Sequence, residues 1–177
     1  MLKWILIGVA AVVAVFAIVV ALQPSDFRIE RGATMRAPAA AAFAQVNDFH
    51  NWRAWSPWEK IDPALKRSYE GPQAGAGATY AWQGNKDVGE GRMTILESRP
   101  GELVRIKLEF FEPIAATNTA EFSFRSVGDG TAVTWTMTGQ NDFLARAICV
   151  FVNMDRMVGG MFEQGLAQMK TVVEGRP

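Results

Sequence analysis

One histidine, His50, and one cysteine, Cys149, are all that this 177-residue chain offers of the two side chains most used in nucleophilic and metal chemistry. A single histidine removes most zinc sites and every histidine-containing dyad or triad that does not use His50. Asp48 lies two residues before it, which suggests a general base and its orienting carboxylate. Two residues apart on a short helix, however, the side chains do not share a face. No serine or cysteine has the surrounding motif of a nucleophile. An exposed or capping histidine is expected. Cys149 lies in an apolar helical run and reads as a buried, inert thiol. Glu90, Glu97, Glu109 and Glu121 are scattered over strand-like segments, and Glu109 and Glu121 fall on the polar parity, so no glycosidase-like pair is supported. Gly84 to Gly91 contains glycines but lacks the strand-glycine-helix context of a phosphate loop. Arg53, Glu59 and Arg92 are candidates for the polar end of a ligand, with surface ion pairing as the alternative. The expectation is no catalytic residue, no metal site and no cofactor.

The other chemistry on offer is the recognition of apolar molecules. Trp52, Trp55 and Trp58 fall within seven residues. Large aromatics can wall the mouth of a cavity and donate an indole N–H to a ligand. They can equally plug the end of a curved sheet. Tyr80, Trp82, Phe110, Phe122 and Trp135 face one interior by strand parity, and parity does not separate a lined cavity from a filled one. Met154 and Met161, with Met157 and Met169, lie on or near the inner face of a helix, where flexible thioethers suit a pocket that adapts to its occupant. The candidate cavity-lining set is therefore Trp52, Trp55, Trp58, Tyr80, Trp82, Phe110, Phe122, Trp135, Met154 and Met161.

These residues need elements to position them. Apolar residues at Ala147, Ile148, Phe151, Met154, Val158, Met161, Gly165, Met169 and Val172 recur at steps of three and four, the spacing of one helix face. Asp142 is placed to cap this helix, and Gly175 with Pro177 to stop it. A helix over 143–174 would be about 48 Å long, unless Gly159-Gly160 bends or splits it. Before it the chain alternates as strands: 27–36, 65–70, 78–83, 89–98, 104–110, 120–125 and 133–138. The first is followed by two short helices, an alanine-rich one from Pro38 to Val46 and a second from Phe49 to Ala54. Strands joined by short turns are antiparallel, and clean alternation leaves one face buried. The economical solution is an α+β fold, a curved antiparallel sheet closing around the C-terminal helix.

Trp4 to Leu22 has no charged side chain. As a helix it spans about 28 Å, close to the hydrocarbon thickness of a bilayer. It reads as an uncleaved anchor; a cleaved signal peptide would have a shorter apolar core and a small-x-small site, which Val19, Ala21 and Gln23 make poorly. Flanking charges leave its orientation ambiguous, and a single short signal-anchor would put the domain on the non-cytoplasmic side. The organisation expected is an anchor over 1–22, a linker over 23–26 and one domain over 27–177. Eighteen basic and eighteen acidic residues cancel, and with no basic stripe nucleic acid is excluded as a partner. The partners expected are the membrane, through residues 4–22, and a hydrophobic small molecule or lipid; the oligomeric state is left open.

Several strings carry a family likeness: NDFHNWRAWSPWEKIDP at 47–63, GPQAGAGATYAWQGN at 71–85, VGEGRM at 88–93, GTAVTW at 130–135 and DRMVGGMFEQGLAQMK at 155–170. Together, over residues 27 to 174, they resemble the SRPBCC superfamily of START-like, helix-grip domains, within it the polyketide cyclase/dehydrase-like group. The resemblance implies a seven-stranded antiparallel sheet gripping the long helix, with a cavity between. It carries no universal catalytic set. Three functions follow as expectations: a membrane-tethered binder of a hydrophobic or amphipathic small molecule, a cyclase- or aromatase-type enzyme, and a structural envelope protein without a ligand.

Overall fold

The structure, a computed structural model, describes residues 1–175; Pro177, part of the expected helix stop, lies outside them. The uninterrupted apolar stretch forms helix α1, Leu2–Ala21, in which Val20 is the buried residue. It is long and apolar enough to cross a membrane. Seven antiparallel strands then form one sheet: β1 (Asp26–Met35), β2 (Lys66–Glu70), β3 (Thr79–Gln83), β4 (Glu90–Arg99), β5 (Leu103–Glu112), β6 (Ala116–Val127) and β7 (Gly130–Gln140). Their order is β1-β7-β6-β5-β4-β3-β2. Sequential hairpins run from β2 to β7, and β1 returns to pair with β7 from Asp26 opposite Gln140 to Met35 opposite Thr131. The strand alternation is thus realised, with Ile95, Val104, Ile106, Phe122, Val133 and Trp135 on the buried face. In the β4–β5 pairing the register shifts at two places, leaving Leu96 and Phe111 without opposite partners. Such bulges bend a strand, which suits a sheet that must curve around a helix.

Between β1 and β2 come helix α2 (Ala39–Asn47), a 3₁₀ turn over Phe49–Asn51, helix α3 (Trp52–Trp55) and a second 3₁₀ turn over Pro57–Lys60. Asp48 caps the first of these turns, its carboxylate accepting from the His50 backbone N–H at 2.9 Å.

The single helix expected over 143–174 is two: α4 (Phe143–Cys149) and α5 (Met154–Val173). The break lies at 150–153, and the Asn153 side chain caps the restart by accepting from Arg156 N at 2.9 Å. Asp142 caps α4 as expected, accepting from Ala145 N at 2.7 Å. The glycine pair 159–160 does not split α5. Gly159 instead leaves room for the Arg31 guanidinium, since a Cβ there would lie 2.1 Å from Arg31 Nη2. Arg31 reaches across from β1 to Asp155 (2.9 Å) and Glu163 (2.7 Å), fastening α5 to the sheet edge. Because the helix restarts with its own phase, the inner face also differs from the expected one. Gly159, Phe162, Gly165, Leu166 and Met169 are buried, whereas Ile148, Phe151 and Val172 are exposed. No residue of α4 is buried; Cys149 is half-buried, with Asn141 Nδ2 3.9 Å from its sulfur, and is not a core thiol.

Candidate ligand-binding site

The interior between sheet and α5 is built of rings. Trp135 of β7 is stacked on Phe162 of α5, centroids 4.0 Å apart and nearly parallel at 7°. Its neighbour across β6–β7, Phe122, is stacked on it at 4.7 Å. Trp52, Trp55 and Trp58 bring their edges to Trp135 at 6.1, 5.6 and 5.7 Å. The short helix and turns after Asp48 thus deliver all three tryptophans to one cluster, because Pro57 ends α3 and returns the chain over the sheet. Gly165 makes the cluster possible from the helix side: a Cβ there would lie 3.0 Å from the Trp135 ring and 3.2 Å from Pro57. The indoles of Trp52 and Trp55 are not free for a ligand as the sequence suggested. They donate to the carbonyls of Val46 and Gln45, each at 3.1 Å. The Trp135 Nε1–H is buried and has no acceptor among the described residues. An unanswered buried donor costs about 1–3 kcal/mol.

A second set, joined to the first through Phe49, has a polar core. Tyr80, opposite Tyr69 in the β2–β3 pairing, donates its phenolic proton to Glu59 Oε1 at 2.6 Å. Arg67 Nε donates to Glu59 Oε2 at 2.7 Å. The Glu59 side chain is only 6% exposed and that of Arg67 19%, so this is a mostly buried ion pair with a phenol attached. Burial first, and the Glu59 carboxylate second, push the Tyr80 phenol far above its ordinary value. The same two causes raise Tyr69, whose buried hydroxyl has no partner among the described residues. Burial works against the Arg67 charge, and the bond to Glu59 outweighs it. His50 stacks on Tyr69 at 4.0 Å, and its Nδ1 lies 2.7 Å from Asp48 Oδ1. The two side chains do meet, against the helical-spacing argument, because Asp48 precedes the helix as its cap and reaches over the first turn. Asp48 is desolvated, yet its hydrogen bonds from His50 and Gln73 hold it below its ordinary value.

Trp82 and Phe110 continue the ring contacts outward, Trp82 lying 6.0 Å from Tyr80 and 5.9 Å from Phe110. Both are half-buried. Met154 and Met161 are also half-buried, Met169 is buried and Met157 is exposed. Arg92 lies over the Phe111 ring at 5.5 Å, and Arg53 is exposed. Two surface clefts stand out among the described residues. One of about 670 Å³ is lined by charged and polar residues including Asp62, Lys66, Lys86, Glu90 and Glu112. The other, about 590 Å³, lies over the ends of β1, β6 and β7. Neither touches the ring cluster, whose members meet one another beneath α5.

The family model for polyketide cyclase/dehydrase and lipid transport proteins matches residues 26–174. The chain belongs to that family. Solved structures share its helix-grip fold at low identity. Protein CV1439 from Chromobacterium violaceum is 17% identical with a TM-score of 0.58, over 85% of this chain and 99% of that one. The Aha1 dimer from Colwellia psychrerythraea is 13% identical with a TM-score of 0.60, over 84% and 96%. The di-domain aromatase/cyclase StfQ of the steffimycin biosynthetic pathway is 12% identical with a TM-score of 0.64, over 85% of this chain and 51% of that one. No curated protein matches in sequence. Within this family member, sequence reasoning missed Phe162, which stacks on Trp135, and Arg67, the partner of Glu59. Phe162 is visible once a helix is phased from Asn153; Arg67 stands in a short alternating run with no local sign of its partner.

Proposed function

We propose that this family member is a membrane-anchored domain that takes up a hydrophobic or amphipathic, lipid-like molecule between the sheet and α5. The observation that carries the reading is the Trp135 indole N–H, buried among Trp52, Trp55, Trp58, Phe122 and Phe162 without an acceptor. Buried donors are seldom left unpaired, and a molecule with a carbonyl or hydroxyl at its end would answer this one. The rings now close on each other, so the ligand would enter by replacing Phe162 against the face of Trp135 as α5 shifts. Trp52, Trp55, Trp58, Phe122 and Trp135 would line its apolar part, with Met154 and Met161 near the helix end of the path. Tyr80, Trp82 and Phe110 would extend the wall. Helix α1 would hold the domain beside the bilayer from which such a molecule comes, on the non-cytoplasmic side.

The second reading is an enzyme of the cyclase or aromatase kind. Glu59, Tyr80 and Arg67 favour it, since they place a carboxylate, a phenol and a guanidinium within hydrogen-bond distance beside the rings. A phenol held so far above its ordinary value is a poor proton donor near neutral pH, and Glu59 is already engaged by two partners. Binding is therefore the stronger reading.

The test is native mass spectrometry with lipid extraction on the full chain purified in detergent, followed by titration with pyrene. A defined co-purifying apolar molecule, or pyrene quenching tryptophan emission and raising the melting temperature, supports binding. A clean apo mass with no response to pyrene overturns it.

A further inference from the structure

Ile148 and Phe151, which their spacing places on the inner helix face, lie instead in a segment, 143–152, whose large apolar side chains are exposed. Phe143 is 51% exposed, Leu144 59% and Phe151 78%, with Ile148, Val150 and Val152 also open and Met157 one turn into α5 beside them. Exposing so many large apolar side chains in one stretch of surface asks for a partner of the same chemistry. The position of this surface says which. The Phe151 ring is stacked on Phe16 of α1, centroids 5.8 Å apart at 25°. Phe16 lies five residues before the end of α1, so about 8 Å inside it along the axis. Arg146, on α4, donates to the carbonyls of Ala21 and Gln23 at 3.3 and 3.5 Å, at the level where α1 ends. Its guanidinium also lies 5.8 Å from the Phe143 ring.

We infer that α4 and the 150–153 turn form a membrane wedge that inserts among the lipids of the leaflet on the domain's side, next to α1. The inference rests on α1 spanning the bilayer. A ring stacked on Phe16 is then at the depth of Phe16, in the hydrocarbon. Arg146, level with the end of the span, sits where a cation meets phosphate headgroups while its stem stays in the apolar layer. The wedge fixes the tilt of the domain as a single flexible linker at 22–25 would not. It also puts the first turn of α5, the helix that closes the ring-lined interior, at the lipid surface.

The experiment places single cysteines, in a Cys149→Ser background of the full chain, at Phe151→Cys, Leu144→Cys, Val12→Cys in α1 and Asp129→Cys in the β6–β7 turn. Each is labelled with a polarity-sensitive fluorophore in phosphatidylcholine–phosphatidylglycerol vesicles. Positions 151 and 144 are exposed, so labels there leave the packed interior intact, and either site alone can decide. The expected result is that labels at 151 and 144 behave like the one at 12: quenched by acyl-chain nitroxides, shifted to shorter wavelength and protected from iodide. The label at 129 stays open to iodide. If 12 is protected while 151 and 144 resemble 129, the wedge is overturned and the anchor stands. If 12 itself is open to iodide, the anchor reading fails and takes the wedge with it.

Discussion

The chain has two tyrosines, and both lie in the Glu59 cluster, 5.2 Å apart. This gives an optical test of the polar end of the site. Tyr80 donates its proton to Glu59 and is buried; ionising it would set a phenolate beside a carboxylate in a poorly solvated place. Its folded pKa is raised, so its contribution to stability is whole below the unfolded value near 10 and is lost as pH climbs from there towards the folded value. At pH about 11 the unfolded chain gains about 1.4 kcal/mol from releasing that proton while the folded phenol keeps it. Tyr80→Phe removes this term. Urea unfolding of the full chain in detergent, followed by tryptophan emission at a series of pH values, should therefore show the parent losing about 1 kcal/mol more than Tyr80→Phe over the step from pH 10 to 11. Tyr69 contributes to both curves and cancels. In parallel, the folded protein should show no tyrosinate absorbance step near pH 10, while the chain in concentrated guanidinium chloride shows both tyrosines. A folded-state step near pH 10, or two stability curves of equal slope, would refute the placement of Tyr80 against Glu59.

Glu59→Gln leaves Arg67 with a neutral partner in a mostly buried place and should cost about 3 kcal/mol, the low end for breaking a buried pair, read from denaturant midpoints. Gly159→Ala should weaken the domain although alanine favours a helix by about 1 kcal/mol over glycine, because the new methyl group displaces Arg31; hydrogen exchange should quicken at the start of α5 and stay unchanged in β6 and β7. Phe122→Ala opens a hole under Trp135 and should cost about 3–5 kcal/mol by urea unfolding. Trp135→Phe sets lost ring contact against the removal of an unanswered donor, each on the order of 1–2 kcal/mol. The melting temperature should move little while pyrene binds more weakly.

The strands were legible because each half-buried strand alternates, and alternation needs no knowledge of its partner. The tryptophans at 52, 55 and 58 were legible as a group because seven residues cannot separate far. The split between α4 and α5 was hidden by apolar spacing that runs on through Ile148, Phe151 and Met154; those residues satisfy the period while facing different surroundings. Asn153 carries the sign of the restart, a capping side chain three residues before the N–H it accepts. The Glu59–Arg67–Tyr80 set was half legible. Glu59 stood out near the tryptophans, but its partners lie 8 and 21 residues on. Only the β2–β3 pairing and the 3₁₀ turn over Pro57–Lys60 bring them together, and neither leaves a local pattern.

The attachment of α5 divides into two kinds of contact that behave differently. On its outer side the helix is tied by Arg31 to Asp155 and Glu163 and by Lys170 Nζ to the Thr34 carbonyl at 2.7 Å. Both carboxylates facing Arg31 are more than half exposed, so these ties set position and are screened by salt more than they hold. On its inner side Phe162, Leu166 and Met169 are buried against the sheet, and this apolar area supplies the adhesion. A ligand that displaced Phe162 from Trp135 would put its own apolar surface where the phenyl ring had been, so most of the burial would be kept. The outer ties need not break for a short displacement, because Arg31 and Lys170 are long and flexible. On the proposed reading, α5 would give way to an apolar guest at the cost of the Phe162 contacts with Trp135 and Trp58, whereas a polar guest would lose the burial and gain only one answered donor. This asymmetry, set by Trp135 and Phe162 on one side and Arg31 on the other, is the physical reason to look for an apolar molecule with a single acceptor at its end.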